Sequence, residues 1–147
     1  MICYEEMKTS HIPAVAQLEI ENFSLPWSEN ALQSELSNPL SLWLVALDED
    51  KVVGYVGAQI VPDEADMMNL AVDGKYRRNG IGKALVQQLL KRLQERSVRS
   101  LTLEVRVSNL PAVSLYEALG FKTVGRRPNY YQKPKEDAFI LRKEWQL

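Results

Sequence analysis

Apolar residues along the chain recur in two spacings, one typical of strands and the other of helices. Continuous or alternating apolar residues predict strands over residues 42–47, 52–61, 65–72 and 100–107. The first three strands follow one another closely and therefore predict an antiparallel meander. The segment between the last two strands is long enough for a right-handed parallel crossover.

Apolar residues three and four positions apart predict helices over residues 12–22, 29–36, 81–96 and 109–119. The third helix has the clearest stripe, and Gly120 is placed to end the fourth. The stripe of the third helix consists of Ile81, Leu85, Leu89 and Leu93, with Val86 and Leu90 beside it.

The first two helices have recognisable start signals. Thr9 or Ser10 is expected to cap the first helix, and Ser28 the second. The apolar stripe expected on the first helix is Ile12, Val15, Ala16 and Ile20, with Leu18 near one edge.

Shorter segments complete the predicted element order βααβββαβαββ. Residues 2–7, 121–126 and 138–145 are expected to be strands, and residues 127–136, which include two prolines, an irregular stretch. This order predicts an α/β (α+β) fold in which helices flank a mixed sheet. With no repeat or linker in its 147 residues, the chain is expected to be a single domain over residues 1–147.

Composition narrows the class of protein. Hydrophobic residues make up 46% and charged residues 25%, values of an ordinary globular domain. The net charge of −1 gives no general attraction to nucleic acid or to membranes. The one cysteine, Cys3, excludes an internal disulfide, and no apolar run or signal segment predicts a membrane span or secretion. A cytoplasmic protein is therefore expected.

The most unusual stretch joins the strand that ends at Val72 to the helix that begins near Ile81. After the turn signal Asp73-Gly74, the loop reads Arg77-x-x-Gly80-x-Gly82. Free backbone N–H groups and the positive end of the helix dipole make such a junction a site for an anion. Arg77, Arg78 and Lys83 add positive charge that suits a phosphate.

Two common nucleotide motifs do not fit this loop. The dinucleotide fingerprint requires a third glycine where this chain has Leu85, and a Walker loop requires Ser or Thr where it has Ala84. A nucleotide-binding regulator is therefore disfavoured. The loop alone leaves open a simpler interpretation, in which the glycines only ease a tight turn.

A second motif makes the pattern specific. Asn109-x-x-Ala-x-x-Leu-Tyr-x-x-x-Gly-Phe121 follows the basic loop at a fitting distance. Together the two motifs resemble the GCN5-related N-acetyltransferases (GNAT), whose sheet is mixed and mostly antiparallel. The segments 26–28, 103–106 and 127–131 are further similar to the RimI type, the ribosomal-protein-alanine N-acetyltransferases.

The resemblance implies acetyl-CoA as co-substrate, no metal, and direct transfer to an amine in a ternary complex. The implied cofactor-binding residues are Leu70, Ala71 and Val72 for the pantetheine arm and the oxyanion, Arg78, Asn79, Gly80, Ile81, Gly82 and Lys83 for the pyrophosphate, and Asn109 at a helix start.

Two side chains are candidates for proton transfer. Strand alternation directs Glu104 away from Leu103 and Val105, and the resemblance implies that it deprotonates the acceptor ammonium. Tyr116 is implied to protonate the departing thiolate. From the residues alone, Glu104 is equally compatible with a solvated strand position, and Tyr116 with a helix core stripe.

The implied acceptor is the N-terminal alanine of a small-subunit ribosomal protein, with Trp27, Tyr130 and Tyr131 as candidates for its recognition. Two alternatives stay open, a lysine or small-molecule amine as acceptor and a non-catalytic acyl-CoA-binding module. A monomer or weak oligomer is expected, with no nucleic-acid or membrane partner.

Overall fold

The computed structural model describes residues 1–147 and contains a seven-stranded sheet with four α-helices. The strands are β1 (Ile2–Glu6), β2 (Ser41–Asp48), β3 (Lys51–Ile60), β4 (Ala65–Val72), β5 (Ser100–Arg106), β6 (Lys122–Gln132) and β7 (Lys135–Glu144). The helices are α1 (Ile12–Asn22), α2 (Glu29–Leu36), α3 (Ile81–Glu95) and α4 (Leu110–Ala118), with single 3-10 turns at Thr9–His11 and Gly74–Tyr76. The predicted order βααβββαβαββ is confirmed.

The strands lie in the order β1-β2-β3-β4-β5-β7-β6. Every neighbouring pair is antiparallel except β4 and β5, which are parallel, so the predicted meander and crossover are both confirmed. β4 and β5 pair only at Ala65 with Leu101 and Asp66 with Thr102, and then they separate. We call the opening that follows the β4–β5 gap.

Helices cover both faces of the sheet. α3 and α4 pack on one face over a core of 22 buried residues, to which the whole predicted stripe of α3 belongs. Leu85, Leu89 and Leu93 are fully buried, and each contributes about 1.5–3 kcal/mol by leaving water. α1 and α2 pack on the other face over a smaller core that includes Trp43 and Tyr55. No helix is long and apolar enough to cross a membrane.

The prediction for α1 was partly wrong. Ile20 is 62% exposed, whereas Leu18 and Glu19 are buried. The apolar stripe is therefore rotated, because the carboxylate of Glu19 takes a place in the interface with the sheet. Thr9 and Ser10 lie in a 3-10 turn and do not cap α1, whereas the cap by Ser28 is confirmed, since its Oγ accepts the Ala31 N–H at 3.0 Å.

The irregular stretch predicted for residues 127–136 was also wrong. β6 continues to Gln132, β7 begins at Lys135, and only Lys133 and Pro134 lie between them. The register shifts between Arg127 and Tyr131, which accommodates Pro128. A proline is tolerated there because β6 is an edge strand, where one missing N–H does not break a central ladder.

Candidate active site

The β4–β5 gap exposes one backbone edge of β4. The Asp73 N–H donates to Val53 O on β3 at 2.8 Å, and residues along a strand alternate the side to which their N–H points. The N–H groups of Leu70 and Val72 therefore point into the gap, whereas Ala71 pairs with Tyr55 of β3. Of the three predicted backbone positions, only Ala71 faces away from the gap.

A cleft of about 310 Å³ lies beside this edge, at the start of α3. Six of the predicted cofactor-binding residues line it, namely Val72, Arg78, Gly80, Ile81, Gly82 and Lys83. Arg77 lines it as well, together with Tyr76 and Leu115. The sequence did not single out Tyr76 and Leu115 as cofactor contacts, because both also fit apolar packing positions.

The loop before α3 has the backbone geometry of an anion site. Arg78 and Gly80 have φ angles of 67° and 73°, in the left-handed region, so the chain turns sharply into the helix. Gly80 is the N-cap and supplies no side-chain hydrogen bond to the first turn. The first N–H groups of this 15-residue helix are therefore available to an anion. Asn79 instead supports the loop, since its Nδ2 donates to Tyr76 O at 3.0 Å.

Gly82 leaves space in the wall of the cleft. A Cβ at this position would lie 3.7 Å from Val72 Cγ2 and 3.8 Å from Leu115 Cδ1, which are ordinary contact distances. The backbone here has no need of glycine, because α3 continues through it. The missing side chain therefore serves the space of the cleft.

Glu104 lies on β5 at the β4–β5 gap, on the α1–α2 face of the sheet, as strand alternation predicts. Its neighbours Leu103 and Val105 are buried in the core under α3. The side chain of Glu104 is 23% exposed, and Arg127 Nε lies 3.4 Å from its Oε1. The carboxylate is thus accessible from solvent on the face opposite to the cleft.

Tyr130 and Tyr131 lie near Glu104 at the end of β6. Burial, followed by the charge of Glu104, raises the pKa of Tyr130. The guanidinium of Arg106 stacks 4.2 Å from the centre of the Tyr131 ring. Burial is the main cause that raises the pKa of Tyr131 to about 12, so this phenol stays protonated at neutral pH.

Tyr116 lies on α4 with its ring in the core and its hydroxyl beside β4. The residue is 5% exposed, its ring packs edge-on against Phe121, and its hydroxyl lies 3.6 Å from Met67 Sδ. Burial, with a smaller effect from Tyr131, raises its pKa. The predicted acid therefore has both properties that the sequence left open, a core ring and a hydroxyl near the β4–β5 gap.

Asn109 is the N-cap of α4, because its Oδ1 accepts the Ala112 N–H at 3.3 Å. It does not line the cleft of about 310 Å³. The capping interpretation is thus confirmed, and a contact between Asn109 and the cofactor stays a prediction.

Sequence reasoning missed two buried carboxylates on the α1–α2 face. Glu19 is fully buried near the end of α1, and Glu35 is 8% exposed near the end of α2. Glu19 carried a signal, since it follows Val15, Ala16 and Leu18 at helical spacing and so falls on the packed side of α1.

The fold and the cleft agree with comparison to known proteins. The chain belongs to the acetyltransferase (GNAT) family, whose model matches residues 12–121. It is 38% identical over 137 residues to the [ribosomal protein bS18]-alanine N-acetyltransferase of Escherichia coli K12, covering 92% of each chain. The family and this relative make the chain an N-acetyltransferase.

Solved structures show the same fold. The crystal structure of the ribosomal-protein-S18-alanine N-acetyltransferase from E. coli aligns with a TM-score of 0.91 at 36% identity, over 100% of this chain and 96% of that one. Arabidopsis thaliana NAA60 in complex with a bisubstrate analogue aligns with a TM-score of 0.90 at 22% identity, over 98% of each chain. The second likeness concerns the fold alone.

Proposed function

We propose that the chain transfers the acetyl group of acetyl-CoA to the N-terminal alanine of a small-subunit ribosomal protein of the bS18 type. The observation that carries the proposal is the β4–β5 gap, which has the basic cleft on one face and Glu104 on the other. Similarity over 92% of the chain to an enzyme of this activity supports the choice of acceptor.

Acetyl-CoA suits the cleft beside β4. The main-chain N–H groups at the start of α3 hold its diphosphate, aided by the charges of Arg78 and Lys83. The unpaired edge of β4 then receives the pantetheine arm as a further strand would be received, through the backbone at Leu70 and Val72. This arrangement places the thioester in the β4–β5 gap.

The acceptor amine enters the gap from the face that carries Glu104. An N-terminal ammonium has a pKa of about 7.7–8.0, so a weak carboxylate base, directly or through water, has to remove a proton that is already loosely held. A lysine ammonium with a pKa of about 10.4 is a harder task. Trp27, Tyr130 and Tyr131 form the walls that the first residues of the acceptor contact.

Transfer then proceeds in one ternary complex. The neutral amine attacks the thioester carbon, and the oxygen that gains negative charge accepts an N–H from the edge of β4 at Leu70 or Val72. The C–S bond breaks, and the hydroxyl of Tyr116 supplies the proton that the thiolate takes. The phenol then regains a proton from the nitrogen as the amide forms. Since a base, an acid and backbone donors suffice, the mechanism calls for no metal.

The setting of the reaction follows from the acceptor. A ribosomal protein is modified where ribosomes assemble, so we place the enzyme in the cytoplasm as a monomer or weak oligomer. Its partner is the free N-terminus of the acceptor, and neither nucleic acid nor a membrane is needed for the transfer.

The test compares two peptides in the presence of acetyl-CoA. One begins with alanine and follows the N-terminal sequence of the bS18 protein from the same organism, and the other has the same sequence with a blocked N-terminus and one added lysine. Mass spectrometry is expected to find one acetyl group on the α-amine of the first peptide and almost none on the second. Faster modification of the lysine would overturn the choice of acceptor.

A second arm separates an enzyme from a binding module. Coenzyme A release is measured with the alanine peptide for the natural chain and for Glu104→Gln. A chain that binds CoA but releases none with any amine would contradict the enzymatic proposal itself.

A further inference from the structure

Glu19 is a fully buried carboxylate that the proposed reaction does not use. Its Oε1 accepts the backbone N–H of Trp27 at 2.8 Å, and its two oxygens accept Asn69 Nδ2 at 3.1 and 2.9 Å. Its Oε2 also accepts the hydroxyl of Tyr55. These donors come from three separate parts of the chain, the loop between α1 and α2, strand β4 and strand β3.

We propose that Glu19 is a positioning residue that holds the acceptor loop, defined as residues 23–28, in place against β4. The inference rests on the proposed function, because it assigns this loop to one wall of the acceptor site. Glu19 itself touches neither the acceptor nor the cofactor, and it acts through Trp27 and Asn69.

The position of Asn69 connects the carboxylate to the reacting edge of β4. Asn69 directly precedes Leu70, whose N–H points into the β4–β5 gap. The pairing of β3 with β4 shifts at this point, so Met68 has no partner and Asn69 faces α1. Asn69 then donates to both oxygens of Glu19. The carboxylate thus fixes the strand next to the backbone donor that we assign to the thioester.

Trp27 connects the same carboxylate to the acceptor side. The acceptor loop lies on the α1–α2 face, which Glu104 also faces. The Trp27 ring packs edge-on against Trp43 at a centroid distance of 5.4 Å, while its backbone N–H is held by Glu19. Main chain and side chain of Trp27 are therefore both constrained, which is expected of a wall that must meet a short peptide.

The arrangement requires a charged acceptor at this position. Trp27 N–H, Asn69 Nδ2 and the Tyr55 hydroxyl are all donors, and a carboxylate can accept all of them at once. A glutamine has only one acceptor oxygen, and its NH₂ group would face Asn69 or Tyr55. A buried carboxylate without such donors would be very costly, so the three partners and Glu19 depend on one another.

Glu35 offers a matched control on the same face. It is also a buried carboxylate near the end of a helix, and it accepts Ser41 Oγ at 3.0 Å, Trp43 Nε1 at 3.1 Å and Gln59 Nε2 at 2.9 Å. All three donors belong to β2 and β3, and none belongs to the acceptor loop or to β4. Glu35 therefore anchors α2 without holding either substrate wall.

The experiment compares Glu19→Gln with Glu35→Gln in the full chain. Steady-state kinetics with an alanine-first peptide are measured well below the melting temperature of each variant, and CoA affinity is measured by calorimetry. Glu19→Gln is expected to raise the peptide KM about tenfold or more, as expected when a charge-assisted hydrogen bond is lost. Its CoA Kd is expected to stay within about twofold, and Glu35→Gln is expected to lower the melting temperature with the peptide KM unchanged.

Hydrogen–deuterium exchange adds a readout that needs no turnover. Exchange in residues 23–28 is expected to be faster in Glu19→Gln than in the natural chain, and unchanged in Glu35→Gln. If Glu19→Gln does not fold, Asn69→Ala carries the test, because it removes only the link to β4. Asn69→Ala is expected to raise the peptide KM in the same direction but by less.

Two results would overturn the inference. One is an unchanged peptide KM in Glu19→Gln and Asn69→Ala, and the other is an equal change in Glu19→Gln and Glu35→Gln. If the natural chain prefers a different amine, the proposed acceptor is wrong, and the same comparison is made with that amine. If the natural chain turns over no amine, exchange in residues 23–28 decides whether Glu19 holds the loop.

Discussion

Gly82 gives the sharpest test of the cofactor cleft, because stability and affinity should change in opposite directions. A Cβ at this position meets Val72 and Leu115 at 3.7 and 3.8 Å, so Ala fits without strain. Gly82 lies inside the first turn of α3. Gly82→Ala should therefore stabilise the chain by up to about 1 kcal/mol through helix propensity. For a domain of this size that corresponds to a rise of roughly 2–4 °C in melting temperature.

The same change should weaken binding of coenzyme A. The diphosphate has to approach the backbone of α3 at Gly82, and a hydrogen bond to a charged group is worth about 1.5–3 kcal/mol. Displacing one such bond in Gly82→Ala raises the Kd about tenfold or more. Gly82→Val carries two further carbons into the cleft, and displacing two bonds costs about 3–6 kcal/mol, or two to four powers of ten in Kd.

Calorimetric titration with CoA and thermal melts by circular dichroism measure both effects. Gly80→Ala is the matched control for stability, because Gly80 has a φ of 73° and a Cβ added there would meet no atom within 4 Å. That substitution should destabilise the chain by about 1–2 kcal/mol through backbone strain alone. A Gly82→Val variant that binds CoA like the natural chain would refute the assignment of the cleft.

Three further predictions concern proton transfer and pH. Glu104→Gln should lower turnover and move the pH–rate profile upward, because only amine that is already neutral can then react; an unchanged profile would remove Glu104 from the role of base. Tyr116→Phe should keep CoA affinity and lose rate, and a loss of affinity alone would make Tyr116 a packing residue. The pKa of Asp137 is lowered by the backbone N–H of Asn129 and then by Arg126. Its stabilising effect should therefore be present above the unfolded pKa of about 3.9 and be lost as the pH falls below it. Melting temperatures between about pH 6 and 3 should accordingly fall less steeply in Asp137→Asn than in the natural chain.

The parts of the fold that the sequence predicted well are those that local pattern determines. The α3 stripe repeats over almost four turns, and the loop before it has a turn signal and two glycines. These features need only neighbouring residues, so the helix, its start and most of the cleft lining could be predicted. Tyr76 and Leu115 were missed because an apolar residue in a cleft wall has the same sequence signature as one in a core.

The wrong predictions lie where distant residues decide the outcome. β6 continues past Pro128 because β7 pairs with it and Asp137 accepts the N–H of Asn129 at 2.8 Å. A local pattern contains only the prolines and so predicts an irregular stretch. The backbone direction that separates Leu70 and Val72 from Ala71 was likewise invisible, since it follows from the pairing with β3.

Glu19 shows how such a failure can still be informative. Its partners lie 8, 36 and 50 residues away, so no local pattern could name them. The stripe expected on α1 nevertheless placed an apolar residue, Ile20, where the structure needs Glu19. A carboxylate on the buried side of a helix conflicts with simple core packing, and such conflicts are retained where function requires them. That conflict points to the loop that Glu19 holds, at the wall where the acceptor enters.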